Sequence, residues 1–400
     1  MMKRTAFLIM TLILVSTLLS SCWSRKELND LSLAAAIGID KDGDQFKVSV
    51  QAIIPSEVAS KKGGGYEVPV TVYTATSKTI VEAIRKMTTT APRKIYLAQL
   101  RVVVIGEELA RSGIGKAMDF LLRDHEVREE DLYVLIAKGL RAEETLQVLT
   151  RVEKIPAKRM YGSLSTLQKY WAPSPVIKLD EVSYDLLTSN KEIAIIGVGI
   201  QGQGKGDKKD NVESVIPSTF LKFFGASVFK KDKLIGWLNE RESKGYNYIT
   251  NRVIKTSGHF PCPAEGTIAT DVVRTKTDVK GKIVKGEPQI DIHVRMETNV
   301  ADVECSIDLT NPNSIDKLQE LANKELQSII KDTIAKVQHE FKSDIFGFGD
   351  AIHRSNPGAW KRIGKNWGRI FPVVPVNVTT DIKIRNMGTI TDPSLKVMKE

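Results

Sequence analysis

Residues 34–52 read AAAIGIDKDGDQFKVSVQA and predict a β-hairpin. An apolar run leads to Asp42-Gly43, which can supply the positive φ of a tight turn, and apolar and polar residues then alternate. Farther along, LRVVVI at residues 100–105 and LYVLIA at residues 132–137 are typical of buried strands. Helical patterns are inserted among the strands at irregular spacing. This order predicts an α+β fold of mixed or antiparallel sheets flanked by helices, and argues against a doubly wound parallel fold.

The residues before the hairpin are typical of a lipoprotein signal peptide, predicted over residues 1–21. A short basic start precedes an apolar run at residues 6–19, and Leu19-Ser20-Ser21-Cys22 then matches a lipobox. Small residues fit the cleft of a signal peptidase, and Cys22 can carry a thioether-linked diacylglyceryl group. The alternatives are a plain secretory signal with a chance cysteine and an uncleaved membrane anchor. We expect cleavage before Cys22, lipid attachment at Cys22 and a membrane-proximal tether over residues 22–31.

The length of the rest of the chain predicts two or three domains. Residues 32–200 are predicted as an N-terminal α+β region of one or two domains, in which Ser77 caps a helix. The glycine-rich, charged sequence that begins at residue 201 predicts a linker or exposed loop over residues 201–219. Residues 220–400 are predicted as a C-terminal α+β domain, with a long amphipathic helix that Ser314 caps.

The composition is that of a folded soluble protein, with 42% hydrophobic and 26% charged residues. The formal net charge of +10 falls to +8 when the signal peptide takes away Lys3 and Arg4. Basic and acidic residues are interspersed and no basic-aromatic module appears, so we favour attraction to an anionic lipid bilayer over nucleic-acid binding. No second long apolar segment follows Cys22, so nothing after it is expected to cross a membrane.

Cys262 and Cys305 are the two cysteines that remain once Cys22 is assigned to lipid attachment. They can pair or stay free, and their spacing leaves both alternatives open. The chain is not rich in disulfides, so its cores must carry its stability.

Several motifs suggest chemistry that their surroundings do not support. Residues 197–202 match the glycine pattern of a dinucleotide site, but a charged, glycine-rich sequence follows where a helix must start, so we expect no nucleotide. His259 and Cys262 lie three apart without a second pair at zinc-site spacing. The acidic run at residues 129–131 is typical of a solvated helix start. We therefore expect no catalytic residues, no metal and no cofactor other than the covalent lipid.

Four blocks of sequence follow one another behind the lipobox. They are CWSRKELNDL at residues 22–31 with AIGID at 36–40; PRKIY at 92–96 with VIGEELA at 104–110 and FLLRD at 120–124; GASVF at 225–229 with LIGWL at 234–238; and DIFGFG at 344–349 with Pro357, Trp360, Trp367 and Phe371. In this order the blocks resemble the Ger(x)C spore germination lipoproteins, the C subunits of nutrient germinant receptors in endospore-forming bacteria. The resemblance covers essentially the whole chain.

The resemblance implies three α+β domains and no catalytic residues; only Cys22 carries over with a defined chemical role. It implies a place on the outer face of the spore inner membrane, beside two membrane-spanning partners, the A and B subunits, of which the B subunit resembles an amino-acid permease. We therefore expect a non-enzymatic, lipid-anchored receptor subunit that supports assembly or signalling during germination. The alternative is a lipid-anchored extracytoplasmic solute-binding protein that captures a nutrient directly, although the repeated strand-helix units of such two-lobed proteins do not appear here.

Overall fold

The computed structural model describes residues 4–7, 9–11, 27–59, 68–187, 190–263, 265–305 and 307–387. Cys22 and the predicted cleavage site lie outside these ranges, so the lipid-attachment site stays a prediction. Within the described part of the chain, no helix is both long enough and apolar enough to span a bilayer.

Among the described residues, the larger of two sheets has nine strands, in the order β3-β2-β1-β5-β6-β7-β8-β9, with β4 pairing beside β1. The strands are β1 Leu31–Asp42, β2 Gln45–Ile53, β3 Val70–Ser77, β4 Lys94–Tyr96, β5 Val102–Gly106, β6 Tyr133–Ala137, β7 Ala194–Gly202, β8 Thr219–Lys230 and β9 Lys233–Leu238. The central strands β1, β5, β6 and β7 are parallel, whereas the strands on either side pair antiparallel. The first sheet is therefore mixed.

Helices cover both faces of the first sheet. They are α1 Pro55–Ala59, α2 Ile80–Lys86, α3 Glu107–Ser112, α4 Gly115–Arg123, α5 Ala142–Gln147, α6 Pro156–Tyr170, α7 Leu179–Leu187 and α8 Asp210–Glu213. In β5, Val103 and Ile105 pack into the core under α2, α3, α4 and α7, whereas Val102 and Val104 pack into the opposite core under α5 and α6. Because both faces are buried, this strand has an unbroken apolar sequence.

The second sheet has four strands in the order β10-β11-β12-β13. The strands are β10 Thr256–Pro261, β11 Thr267–Val284, β12 Glu287–Val303 and β13 Val376–Asn386, and the helices of this region are α9 Glu240–Ile249, α10 Pro312–Lys336, α11 Phe348–Ser355, α12 Pro357–Ile363 and α13 Trp367–Ile370. The strands β10, β11 and β12 pair antiparallel, and β13 runs parallel to β12.

Only one face of the second sheet is buried. Ile290, Ile292 and Val294 of β12 point into the core, and the residues between them are partly exposed. The outer face carries ion pairs between neighbouring strands, including Lys282 with Asp291 at 2.7 Å. This alternation gives β12 the two-residue period that marks a half-buried strand in a sequence.

One apolar core connects the two sheets. Ala226, Val228 and Leu238, from β8 and β9 of the first sheet, pack in the same cluster as the inward residues of β12. Helix α10 contributes Leu326 and Ile330 to this cluster. The edge of the first sheet is therefore packed against the second region.

The structure confirms the predicted fold class, since it has mixed sheets flanked by helices. It also confirms the opening hairpin, in which β1 and β2 pair from Asp42 and Gln45 outward and Gly43 has a φ of 59°. The division into three domains stays a prediction.

Two predicted helix caps are wrong by a few residues. Thr79, not Ser77, accepts the backbone hydrogen bond at the start of α2, because Ser77 is still the last residue of β3. Asn311 caps α10 in place of Ser314, since Pro312 occupies the first turn. Proline lacks the backbone N–H that is unsatisfied at this position anyway, so it favours an earlier start.

Residues 201–219, predicted as a linker or exposed loop, join β7 to β8, which pair antiparallel in the first sheet. The segment is held in place by the buried amide of Asn211, which donates to the Leu149 and Thr219 carbonyls at 3.1 and 2.9 Å. The first sheet thus continues across the segment at which we expected one domain to end. The domain boundaries themselves stay predictions.

Cys262 and Cys305, whose pairing the sequence left open, form a disulfide. Cys262 follows β10 and Cys305 follows β12, so the bond closes the open end of the long β11–β12 hairpin. Their Cα atoms lie 6.4 Å apart.

Candidate functional site at the junction of the two sheets

The structure places three acidic residues of the sequence blocks in buried or half-buried positions, where they accept hydrogen bonds from backbone amides and, in two cases, also from a tryptophan side chain. Asp40 ends the first block, Glu107 lies in the second, and Asp344 begins the fourth. Each holds together elements that are not neighbours in sequence.

Asp40 fixes the start of α5 against the end of β1. Its two carboxylate oxygens accept the backbone N–H groups of Ala142 at 2.7 Å and Glu143 at 3.1 Å. Burial raises the pKa of Asp40, and these two amides act against that rise. A Cβ at Gly106 would lie 2.0 Å from Asp40 Oδ1, so glycine is required there. This part of the first and second blocks therefore serves packing.

Glu107 joins the second block to the third. Trp237 Nε1 donates to Glu107 Oε1 at 3.3 Å, and the Gly139 amide donates to Oε2 at 2.6 Å. Burial acts to raise the pKa of Glu107, but the Gly139 amide, Arg111 and Trp237 together hold the pKa below its ordinary value. Glu107 is therefore held as a carboxylate that links the helices to the edge strand β9.

Asp344 is wholly enclosed and accepts four hydrogen bonds. The backbone N–H groups of Gly347, Phe348 and Gly349 donate at 3.0, 3.1 and 2.8 Å, and Trp367 Nε1 donates at 2.8 Å. Burial raises the pKa of Asp344 to about 6, although all four donors favour the charged form. The fourth block thus folds around its own first carboxylate.

The Asp344 turn also touches the first sheet. The Glu192 amide donates to the Asp344 carbonyl at 2.9 Å, and the Ser343 hydroxyl donates to the Phe229 carbonyl of β8 at 2.6 Å. Beside this contact, Lys191 pairs with Asp185 at 2.7 Å, and both side chains are largely buried. The fourth block therefore helps to fix the position of the second region against the first.

A cavity of about 500 Å³ lies at the junction, where Trp171 of the first region meets residues of the second. Its floor is apolar and comes from α9, α10 and the covered face of the second sheet, with Tyr248, Phe260, Met296, Leu326 and Ile329 among the lining residues. The rim is polar and contains Glu240, Arg241, Lys244 and Glu325, together with Trp171, which follows α6 of the first region. A volume of this size is typical of small-molecule sites, which often lie where two regions of a protein meet.

The glycines that match the dinucleotide pattern lie in a strand. Gly197 and Gly199 are part of β7, where a Cβ would come within 2.7 Å of the Trp237 ring and within 2.7 Å of the Phe224 ring, respectively. The strand leads into a loop, and no helix starts at the turn. The Trp237 and Phe224 rings leave no room for a side chain at these two positions. This explains the glycines, and no bound phosphate is needed to account for them.

The histidines are dispersed. His259 lines the cavity, the Nδ1 atom of His293 lies 2.9 Å from the Thr379 hydroxyl, and His353 stacks on Trp360. In the ranges that the structure describes, no three His, Cys, Asp or Glu side chains form a group that could hold a metal ion.

Sequence reasoning missed the cavity. Neither Trp171 nor Lys244 belongs to a motif or block that the sequence singles out. The two residues are 73 positions apart, yet Lys244 Nζ lies 3.5 Å from the centre of the Trp171 ring. A single sequence contains no signal for such a long-range pair, although a tryptophan just after a helix is a reason to look for one.

Two domain families match the chain. Residues 24–200 match the family described as "Spore germination protein N-terminal domain", and residues 224–388 match "Spore germination B3/ GerAC like, C-terminal". The gap between the two matches, residues 201–223, contains the segment that joins β7 to β8.

Curated relatives match along nearly their full length. Spore germination protein KC of Bacillus subtilis (strain 168) is 29% identical and aligns over 98% of both chains. Spore germination protein B3 of the same organism is 25% identical over 93% of this chain and 95% of its own length. Spore germination protein A3, also of B. subtilis, is 23% identical over 95% and 98%.

The fold also matches that of a solved structure. The crystal structure of the GerBC protein superposes with a TM-score of 0.56, covering 91% of this chain and all of that one, at 21% identity. At this identity the likeness concerns the fold, and the sequence matches concern the family. Both domain families and the full-length relatives agree with the four sequence blocks, and the chain therefore belongs to the Ger(x)C family of spore germination proteins.

Proposed function

We propose that this protein is a lipid-anchored, non-enzymatic C subunit of a nutrient germinant receptor. The observation that carries the proposal is that both domains of the family match in order behind a lipobox, with relatives aligned end to end. Asp40, Glu107 and Asp344, which lie in the sequence blocks, have shifted pKa values. Their side chains are packed inside the fold and accept hydrogen bonds from backbone amides or tryptophan side chains. They hold the fold together, which suits an assembly subunit.

Anchoring would act through the lipid on Cys22. Each buried methylene contributes roughly 0.8 kcal/mol, so one acyl chain holds a protein marginally and two hold it stably. Leu31, the first residue of β1, is nine residues after Cys22. At about 3.4 Å for each residue, the near edge of the first sheet would stay within roughly 30 Å of the bilayer.

Confinement to the membrane plane would raise the effective concentration of the subunit near its membrane-spanning partners. We propose that these partners are the A and B subunits, on the outer face of the spore inner membrane. The subunit would then support receptor assembly or signal transmission when a nutrient is bound.

The test is Cys22→Ala in the native spore, with Ser24→Ala as a matched control outside the lipobox. We expect Cys22→Ala to leave the membrane fraction and to slow nutrient germination, while Ser24→Ala does neither. A Cys22→Ala protein fused to an unrelated membrane-spanning helix should regain both properties if tethering is the requirement. Normal membrane retention and normal germination of Cys22→Ala alone would rule the proposal out.

A further inference from the structure

The cavity at the junction has features of a ligand site that the proposed anchoring role does not use. We infer that it binds a small monocarboxylate with an apolar, preferably aromatic, body. The carboxylate would lie against Lys244 at the rim, and the body would occupy the floor.

The floor determines the apolar part of the ligand. It combines aliphatic side chains of α10 with the rings of Tyr248 and Phe260, and Trp171 stands at the rim. Aromatic rings packed at offset or edge-on angles gain contact energy beyond the area they bury. The floor therefore suits a flat apolar body better than a sugar, which needs many polar partners.

Lys244 determines the charge of the ligand. Its ammonium group has three N–H donors; one reaches the Ser257 carbonyl at 3.3 Å, and the Trp171 ring face is 3.5 Å away. No carboxylate of the described residues lies within 4.0 Å of Lys244 Nζ. One donor of a half-buried cation is thus left for an anion, and hydrogen bonds between charged partners are the stronger kind.

The other charged groups of the rim already have partners. Arg241 pairs with Glu325 at 2.5 Å, and Glu240 accepts the Trp171 Nε1–H at 3.1 Å. Glu240 is close enough to Lys244 to interact with its charge. The rim can therefore accommodate one negative charge, and a second would be repelled by the two carboxylates.

A polar group in the floor also lacks a strong partner. The Tyr248 side chain is 6% exposed, and among the described residues its hydroxyl donates to the thioether sulfur of Met296 alone, at 3.9 Å. Sulfur is a weak acceptor, so this buried O–H is poorly satisfied.

The experiment is calorimetric titration of the full lipidated chain in lipid nanodiscs, with empty nanodiscs as the blank. The probes are 3-phenylpropionate, the neutral 3-phenylpropanol and the cationic 3-phenylpropylamine, which share one body and differ in charge. We expect the carboxylate to bind most tightly and the amine least. Equal affinity for the three probes, or no heat from any of them, would overturn the inference.

Two conservative variants test the rim. Lys244→Gln removes the positive charge and should weaken carboxylate binding about tenfold, while the alcohol is affected little. Glu240→Gln keeps an oxygen for Trp171 and removes a repelling charge, so it should strengthen carboxylate binding a few-fold. Unchanged carboxylate affinity in both variants would place the ligand elsewhere and overturn the site.

A third variant tests the floor. Ala322 lies buried in the cavity wall on α10, and Ala322→Phe would fill part of the space. Binding of the carboxylate should be lost while the thermal unfolding midpoint and the membrane retention stay near those of the unmodified protein. Membrane retention and ligand binding are measured separately. If the cavity binds none of the probes, the proposed receptor role is therefore unaffected.

Discussion

Asp40 and Asp344 are buried carboxylates in the two halves of the chain, and they differ in how many segments each one holds. Asp40 accepts two amides of a single helix start. Asp344 accepts three amides and an indole, while its own carbonyl accepts the Glu192 amide from the first region. The first is a helix cap that reaches across from a neighbouring strand, and the second is the centre of a turn on which two regions depend. The Asp40 carboxylate therefore joins two elements that are 102 residues apart with two hydrogen bonds, whereas the Asp344 carboxylate orders its own turn and Trp367 with four.

The largest effect is expected for Asp344→Ala. It would leave four buried donors without an acceptor, which we expect to lower the free energy of unfolding by about 3–5 kcal/mol. Urea unfolding followed by tryptophan fluorescence measures this change. Asp316→Ala, on the exposed surface of α10, is the matched control and should change stability by less than about 0.5 kcal/mol. A loss below 1 kcal/mol for Asp344→Ala would mean that the turn does not depend on its carboxylate.

The second prediction uses the pH dependence of the same carboxyl group. Its pKa is about 6 in the folded chain, against an ordinary value of 3.8. Between these values the folded state binds more protons than the unfolded state, so the stability contributed by this group is full below pH 4 and is lost as the pH rises through 6. Relative to Asp344→Asn, which cannot ionise, the unmodified protein should lose up to about 3 kcal/mol between pH 4 and pH 7.

The measurement is urea unfolding of both proteins at several pH values. The two chains share every other titrating group, so the difference between them reports on Asp344 alone. A difference that stays constant across this range would show that the four donors fully offset the burial of the charge.

A smaller effect is expected for Asp40→Ala. Two amides at the start of α5 lose their acceptor, which typically costs about 1–2 kcal/mol. Asp42→Ala, two residues along the same strand and exposed, is the control. Unfolding by urea should rank Asp344→Ala, Asp40→Ala and Asp42→Ala in that order, and a reversal of the first two would mean that the number of buried donors does not set the size of the effect.

The smallest effect is expected at an ion pair on the open face of the second sheet. Arg295 pairs with Asp278 between β12 and β11, and both side chains are substantially exposed. Arg295→Ala should change the free energy of unfolding by no more than about 0.5 kcal/mol, and added salt should reduce even that difference. Thermal unfolding at low and high salt checks this. If Arg295→Ala lowered the free energy of unfolding as much as Asp40→Ala does, an exposed carboxylate such as Asp278 would contribute as much to stability as a buried one, and the comparison would fail.

The sequence predicts local features better than long-range ones, for physical reasons that particular residues illustrate. The apolar run at residues 100–105 reflects a sheet that is buried on both faces, and the alternation in β12 reflects a sheet that is buried on one face. Both patterns can be recognised directly in the sequence. The predicted starts of α2 and α10 are wrong because Thr79 and Asn311 can also cap a helix, and the strand β3 in one case and Pro312 in the other decide between the candidates. These are short-range competitions with small energy differences.

The candidate site lies beyond such reasoning. Trp237 and Glu107 are 130 residues apart, and the cavity brings Trp171 to Lys244 from two different regions. No spacing or period indicates such pairs in a single chain. The disulfide is similar, because the sequence showed two candidate cysteines and only the register of the long hairpin brings them together.

That disulfide also determines how the molecule would respond to mechanical load. The bond between Cys262 and Cys305 spans 43 positions and, by a chain-entropy estimate, stabilises the fold by about 4 kcal/mol. A pull applied between the two ends of the chain would travel through the sulfur atoms and bypass β11 and β12. The β11–β12 hairpin would carry no load while the segments outside it, including β10 and β13, were drawn out, so this hairpin has a covalent limit to its extension.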